Sequence, residues 1–368
     1  MNTFYYTKKH RLSLLFLFFI TSWCYGTCDT PLIVQTIYST FEVTEPVLID
    51  LFNNQTMERI KHVHQYGASD YVIPQNKDYS RYEHCVGVWA LLRMYGASLE
   101  EQIAGLLHDA SHTVFSHVGD ILFEHNSSHS SYQDDIHQWY LEQQKIDELL
   151  RKHNLSLHTV LHKNGAHNML EQDLPDICAD RLEYNLQAGL LTNLLTIEDI
   201  KNILESLLYE NGVWFFTQIE CAKKLALVSL FNTEHVWGSP EDRFINENMA
   251  NALKRALHIG LLTSNDIHFS TDDIIWNIVH TADDHVIRSC MKNIQHYKQI
   301  VTITNPETSD FIVKNKFRGL DPFVTIENGL QRLTDLDAEY KKEYDRVKKQ
   351  VAQGWGVRLR TVDNLYNQ

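Results

Sequence analysis

A mainly helical body with a small α+β appendage at its C-terminal end is the architecture this sequence predicts, and three observations carry it. Capping signals of the form Ser-x-x-Glu open helices at Ser80 and Ser98, where serine and glutamate side chains satisfy orphan backbone N–H groups. Between such starts, apolar residues recur at the three- and four-residue spacing of a buried helix face. Only from residue 295 does the pattern change, to short β-rich runs and a highly charged helix. With 368 residues, 43% apolar and 22% charged, the chain can bury a sizeable core and does not read as disordered. Its formal net charge of −14 argues against a broad nucleic-acid footprint or an anionic membrane surface.

The N-terminal segment has its own logic. Lys8, Lys9 and Arg11 precede an apolar run over 12–20 and the small residue Gly26. That pattern predicts a signal peptide over 1–26, export to a periplasm or the exterior, and no membrane span after its removal. A retained segment would instead mean a cytoplasmic protein. The helical core is expected over 40–294. Its helix from Ser80 ends near Gly96 and puts His84, Val88, Leu91 and Tyr95 on one face, so His84 points inward. The helix from Ser98 turns Ile103, Leu106, Leu107 and Ala110 inward and delivers His108 and Asp109 at its end. A tight turn makes the two antiparallel neighbours and brings His84 towards His108. Asp173 as cap and Pro175 as first helical residue predict a helix to about 189. Further helices are expected over 132–152, 196–209, 215–232, 240–259 and 271–294. The appendage, 295–368, should hold strands over 297–304 and 310–316 and a solvated charged helix over 333–352.

Eleven of the 20 histidines lie between 84 and 167, three of them in the run from His108-Asp109 through His112 to His117. An imidazole beside a carboxylate at the end of an apolar helix offers two ligands at once. The helix dipole accounts for a histidine there but disfavours the adjacent aspartate. Such donors suit Zn, Mn, Fe or Co, and carboxylate-rich sites also admit Mg. The six cysteines contain no C-x-x-C pair, and Cys85 and Cys178 read as small buried apolar residues.

The ordered set His84, His108-Asp109 and Asp180 resembles the HD-domain metal-dependent phosphohydrolases, and two longer stretches strengthen the likeness. Arg81-Tyr-Glu-His84-Cys-Val-Gly87-Val is similar to that family's R-x-E-H-x-x-G-V helix. The run from His108 to Asp120 resembles the HD-x-x-H-x-x-F-S-H-x-x-D segment of deoxynucleoside triphosphate triphosphohydrolases, and Asp180-Arg181-Leu-Glu-Tyr184 their D-[KR]-x-x-Y element. The likeness covers about 75–190. It implies an HD-domain helical bundle in which His84, His108, Asp109 and Asp180 hold one divalent metal ion. Arg81, Arg181 and Tyr184 would contact phosphate and sugar, with His112, His117 and Asp120 as catalytic-pocket residues. His112 is the expected proton carrier, one turn beyond the doublet. The family's next element, a His-Glu doublet, has no counterpart; Tyr132-Gln133-Asp134 occupies that place.

The chemistry so implied is hydrolysis of a phosphoester or phosphoanhydride of a small phosphorylated substrate, most readily a nucleotide. Three alternatives stay open: a phosphodiesterase or phosphomonoesterase on the same scaffold, a di-iron oxygenase using His112 and His117 for a second metal, and a nucleotide-binding regulator without turnover. The likeness also implies a tendency to homo-oligomerise.

Overall fold

The computed structural model describes residues 30–73, 79–125, 131–161 and 167–360. The expected signal peptide, 1–26, lies outside the described residues. No described helix is long and apolar enough to cross a membrane.

The described chain opens with a hairpin, β1 (Leu32–Gln35) against β2 (Thr40–Val43). Ten helices follow in order: α1 (Pro46–Phe52), α2 (Gln55–Ile60), α3 (Arg81–Met94), α4 (Leu99–Leu107), α5 (Val118–Leu122), α6 (Tyr132–Gln143), α7 (Ile146–Lys152), α8 (Leu157–Val160), α9 (Ala179–Leu191) and α10 (Ile197–Ser206). Strands β3 (Leu207–Glu210) and β4 (Val213–Phe216) interrupt the helices, which resume as α11 (Ile219–His235), α12 (Pro240–His258), α13 (Ser264–Phe269), α14 (Asp272–Thr281), α15 (His285–Gln295) and α16 (Tyr297–Ile300). The C-terminal part holds β5 (Val301–Thr304), β6 (Phe311–Val313), β7 (Phe323–Ile326), β8 (Gly329–Arg332), α17 (Leu333–Leu336), α18 (Ala338–Gln353) and β9 (Trp355–Leu359). The chain is thus mainly helical, as its sequence predicts.

Local chemistry fixes the two helices that matter most. Ser80 Oγ accepts from the Tyr82 and Glu83 N–H groups and Glu83 closes the capping box, so α3 starts where expected. Fully buried Trp89 then anchors it, with Phe41 and Phe52 edge-on at 5.2 and 5.1 Å. Helix α4 begins at its Ser98 cap and closes on α3 at Gly105, where a Cβ would stand 2.3 Å from Leu92 Cδ1. That close approach is what brings His108, at the end of α4, to His84.

Two apolar cores flank the following segment. Ala110 belongs to the core built on α1 to α4, α9 to α11 and α18, while Val114, Phe115 and Val118 belong to the one built on α12 to α15. The histidine-rich run therefore crosses the seam between them. It crosses as irregular backbone, with Phe115 and Ser116 at φ 58° and 54°, a left-handed geometry that costs of order 1 kcal/mol per residue. Neighbours hold it there. The Asp272 carboxylate accepts from the N–H of Phe115 at 2.7 Å and of His64 at 2.9 Å. Arg59 donates to the carbonyls of Ala110 and His112 at 3.3 and 2.6 Å. Asp272→Ala should therefore cost about 2–4 kcal/mol in urea unfolding, because two backbone donors lose their acceptor; a loss under about 0.5 kcal/mol would contradict that role.

Several expected elements differ in place. The helix predicted from Asp173 begins at Ala179. The preceding segment makes a turn, the Asp176 N–H donating to the Asp173 carbonyl at 2.9 Å, before Cys178 runs extended into the helix and the Ala179 N–H donates to the Met169 carbonyl at 2.7 Å. The helix expected over 196–209 stops at Ser206, because 207–210 pairs as β3 with β4 (Leu207↔Phe216), and the helix expected from 215 starts only at Ile219. The helices over 132–152 and 271–294 are each two, parted at Lys145 (φ 57°) and at the α15 cap Asp284. The run 297–304 begins as a helical turn before β5, and the charged helix breaks at Asp337, the cap of α18. Finally, β4 pairs in parallel with β7 (Phe216↔Val324), so C-terminal strands share a sheet with the helical body.

Candidate metal-dependent active site

At the seam, four side chains from three helix ends converge. His84 comes from α3, His108 and Asp109 from the end of α4, and Asp180 from the first turn of α9. The His84 and His108 Nε2 atoms stand 3.1 Å apart. Asp180 Oδ1 lies 3.0 Å from His84 Nε2 and 3.6 Å from His108 Nε2, and each imidazole has an Asp109 oxygen at 3.6 Å. His84 and Asp109 are buried, while His108 and Asp180 form the more open side.

The donor chemistry of this group fits a cation. His108 Nδ1 faces the Gly105 carbonyl at 2.8 Å and His84 Nδ1 the Glu183 carboxylate at 2.5 Å. Those acceptors place the ring protons on the Nδ1 atoms, which leaves the two Nε2 lone pairs facing each other between two carboxylates. Only a positive charge makes that arrangement favourable. In the bare protein the charge is a proton. Burial pushes His84 down, but its bonds to Asp180 and Glu183 outweigh this and raise it to about 9. Burial likewise opposes the charging of His108, yet the Asp109 carboxylate holds it well above the usual histidine range. Asp109 itself, despite burial, is held well below the carboxylate range by Arg81 and His108. A divalent ion supplies the same compensation with both rings neutral.

Glu183 is the residue that sequence reasoning missed. Fully buried, it bonds His84 and accepts from the hydroxyls of Tyr79 and, at 3.1 Å, Tyr38. It lies one turn beyond Asp180 on the same face, and its room is made by Gly87, where a Cβ would stand 2.3 Å from Glu183 Oε1. Orienting partners of this kind govern ligand geometry. Glu183→Gln and Gly87→Ala should each weaken metal binding roughly 10- to 100-fold by competition with a chelating dye. Unchanged affinity in both would remove Glu183 from the site.

The other expected residues are placed as follows. Arg81, 3% exposed, pairs with Asp109, donates from Nε to Ser116 Oγ at 2.9 Å and from Nη2 to the Gln65 carbonyl at 3.2 Å. His112 is buried, its Nε2 3.3 Å from Asp109 Oδ1; burial and the Arg81 charge push it down to about 3, so it is neutral. His117 is half exposed and stacks edge-on to His112 at 5.1 Å, with Nδ1 3.0 Å from Asp120 Oδ2. Burial opposes ionisation of Asp120, but the His117 bond and the Tyr132 N–H hold it down at about 2. The Tyr184 ring lies 6.4 Å from that of His84, and its hydroxyl is buried without a partner among the described residues. Arg181 donates to Glu171 at 2.7 Å and to the Asp176 carbonyl at 3.2 Å.

Comparison with known proteins decides the family. The HD domain model matches residues 81–185, which contain all four converging side chains. An uncharacterised protein of Bacillus subtilis (strain 168), YdhJ, is 30% identical over 309 residues, covering 83% of this chain and 93% of its own. A metal-dependent phosphohydrolase of Cordyceps militaris, cns2, is 26% identical over 303 residues, covering 80% of this chain and 84% of its own. This chain belongs to the HD-domain family of metal-dependent phosphohydrolases. The deoxynucleoside triphosphate triphosphohydrolase SAMHD1 of Xenopus laevis is 26% identical over a shorter stretch of 133 residues, 30% of this chain and 21% of that one. Among solved structures, a phosphohydrolase of Bacteroides thetaiotaomicron shares the fold, with a TM-score of 0.64 at 14% identity over 90% of this chain and all of the other.

One further ligand-like group borders the HD-domain cluster. Glu171, Cys178 and Asp180 bring three donor atoms within 4.8 Å of one another. The Arg181 guanidinium already serves that group, reaching Cys178 Sγ at 3.3 Å as well as Glu171.

Proposed function

We propose that this HD-domain protein hydrolyses a phosphoester or phosphoanhydride bond of a nucleotide, with His84, His108, Asp109 and Asp180 holding one divalent cation. The observation that carries this reading is the convergence of two imidazole lone pairs and two carboxylates on one point beside a buried guanidinium. Bound there, the cation would make water a usable nucleophile near neutral pH and offset charge on a phosphoryl oxygen. Arg81 orients Asp109 and adds fixed positive charge where the phosphorus centre gains negative charge. His117, half exposed and steadied by the ionised Asp120, is better placed than buried, neutral His112 to give a proton to the leaving oxygen. His112 instead steadies Asp109.

A sugar-bearing substrate is supported by two buried polar atoms without partners among the described residues, Gln65 Oε1 and the Tyr184 hydroxyl. Gln65 carries the carbonyl that Arg81 grips, and Tyr184 neighbours His84. Buried polar atoms of this kind favour a ligand that supplies hydroxyl partners. Neither His112 nor His117 joins a cluster of three or more ligand atoms among the described residues, which favours this reading over a second metal.

The test is turnover of a panel of nucleoside mono-, di- and triphosphates with added Mn, Mg, Co or Fe. Phosphate, pyrophosphate or triphosphate release is expected with at least one metal. Silence across the panel from folded, metal-loaded protein contradicts the proposal.

A further inference from the structure

Besides Asp109, Arg81 has two other partners, and both lead to the same stretch of backbone. Its Nη2 donates to the Gln65 carbonyl at 3.2 Å and its Nε to Ser116 Oγ at 2.9 Å. Ser116 in turn donates to the His64 carbonyl at 2.6 Å. The His64-Gln65 backbone therefore cradles the guanidinium. Backbone bonds hold the cradle in place. The His64 N–H donates to Asp272 at 2.9 Å, the Gln65 N–H to the Tyr79 carbonyl at 3.0 Å, and the Gly67 N–H to the His64 carbonyl at 3.1 Å.

The His64 side chain adds an ionic tie. Its Nδ1 stands 3.1 Å from Asp70 Oδ2, in the helical turn Gly67–Tyr71, and its ring packs edge-on to Tyr71 at 5.4 Å. Two buried carboxylates thus flank this residue, Asp70 at 4% and Asp272 at 0% exposure. Asp273, also on α14, faces it more weakly and accepts from the Tyr71 hydroxyl at 2.6 Å. Asp272 feels the Arg59 charge as well. The Arg59 donors, however, are engaged by the carbonyls of Ala110, His112 and Ser270 and by the Tyr140 hydroxyl. Buried carboxylates on both sides call for a cation between them, and His64 is placed to carry it. Burial opposes its charging, but the Asp70 bond and the Asp272 charge raise it above its ordinary value.

We propose that His64, paired with Asp70, is a positioning residue for Arg81: a charged imidazole between Asp70 and Asp272 fixes the two carbonyls that aim the guanidinium. Turnover then depends on the charge at position 64, although His64 itself touches no reacting atom. This rests on the phosphohydrolase reading above. As pH rises and the imidazole loses its proton, the two carboxylates lose their shared cation and the cradle loosens. Arg81 then drifts from the phosphorus centre. An alkaline fall in kcat should follow, with the metal retained.

The experiment compares the full-length wild type with His64→Gln, His64→Lys and Asp70→Asn, each loaded with one equivalent of Mn and checked for folding by circular dichroism. Glutamine keeps a donor beside Asp70 but no charge, whereas lysine keeps the charge and does not titrate near neutrality. In His64→Gln and Asp70→Asn, kcat should fall at least about tenfold, with KM and metal affinity within about twofold of wild type. His64→Lys should recover kcat to within about threefold and lose the alkaline fall. No loss in His64→Gln, an equal loss in His64→Lys, or an alkaline fall that persists in the lysine variant overturns the proposal. A second readout needs neither turnover nor a substitution at 64. In wild type carrying isotopically labelled arginine and diamagnetic Zn, the Arg81 Nε–H resonance, assigned by its absence in Arg81→Lys, should titrate together with the His64 imidazole. If the wild type hydrolyses nothing, the catalytic reading falls, while this titration still decides the positioning: a shared midpoint supports it, and an Arg81 signal indifferent to His64 overturns it.

Discussion

With alanine at both His108 and Asp109, the protein should purify without bound metal and turn over no phosphorylated substrate, yet keep most of its helical content. The expected loss of activity is more than about 100-fold, because even outer partners of metal ligands cost 10- to 100-fold. Both residues sit where α4 ends, so the apolar faces of α3 and α4 that pack through Gly105 are untouched. Metal analysis by mass spectrometry and circular dichroism check the two halves of this expectation. Metal retained at one equivalent in the double variant would refute the ligand assignment.

Arg81→Ala should have the largest effect on stability. Arg81 and Asp109 are buried together, with side chains 4% and 8% exposed. Removing one partner of a buried pair strands the other charge at a cost of about 3–5 kcal/mol. Ser116 and the Gln65 carbonyl lose a donor as well. A bound divalent ion would take up part of the stranded Asp109 charge, so the variant should be destabilised more in chelator than in metal. It should keep its metal and lose roughly 100-fold or more in turnover. Thermal unfolding with and without chelator tests this, and equal losses in both conditions would show that Asp109 does not face the metal.

The four converging side chains were legible in the sequence because each belongs to a short-range signal. A capping box fixes the phase of α3 and hence where His84 points, and the His-Asp doublet falls where the apolar run of α4 ends. Asp180 was legible from the family likeness, although the start of its helix was not. Pro175 looks like a first helical residue, but it sits in a turn closed by the Asp176 N–H on the Asp173 carbonyl, and the helix starts only where the Ala179 N–H meets the Met169 carbonyl, a contact that leaves no local mark. The two ends of the hairpin at 207–216 were read as helix, although its turn, Asn211-Gly212 with both residues at positive φ, is a local hairpin mark in the sequence. Glu183 hides within a helix as an ordinary glutamate; its one clue is spacing, three residues from Asp180 and opposite a glycine on α3. Arg59, Ser116 and Asp272 act on the irregular backbone of the histidine run, which no periodicity reports. His112 was preferred to His117 by spacing alone, whereas the proposed function prefers His117 because His112 is buried.

The central claim is that one cation is gripped by His84, His108, Asp109 and Asp180 together. Anomalous diffraction from crystals of the Mn-loaded protein tests it most directly. The account predicts a single strong peak with both Nε2 atoms and an oxygen of each aspartate at about 2.0–2.3 Å. A peak elsewhere, or one with Asp180 turned away from it, would contradict the account.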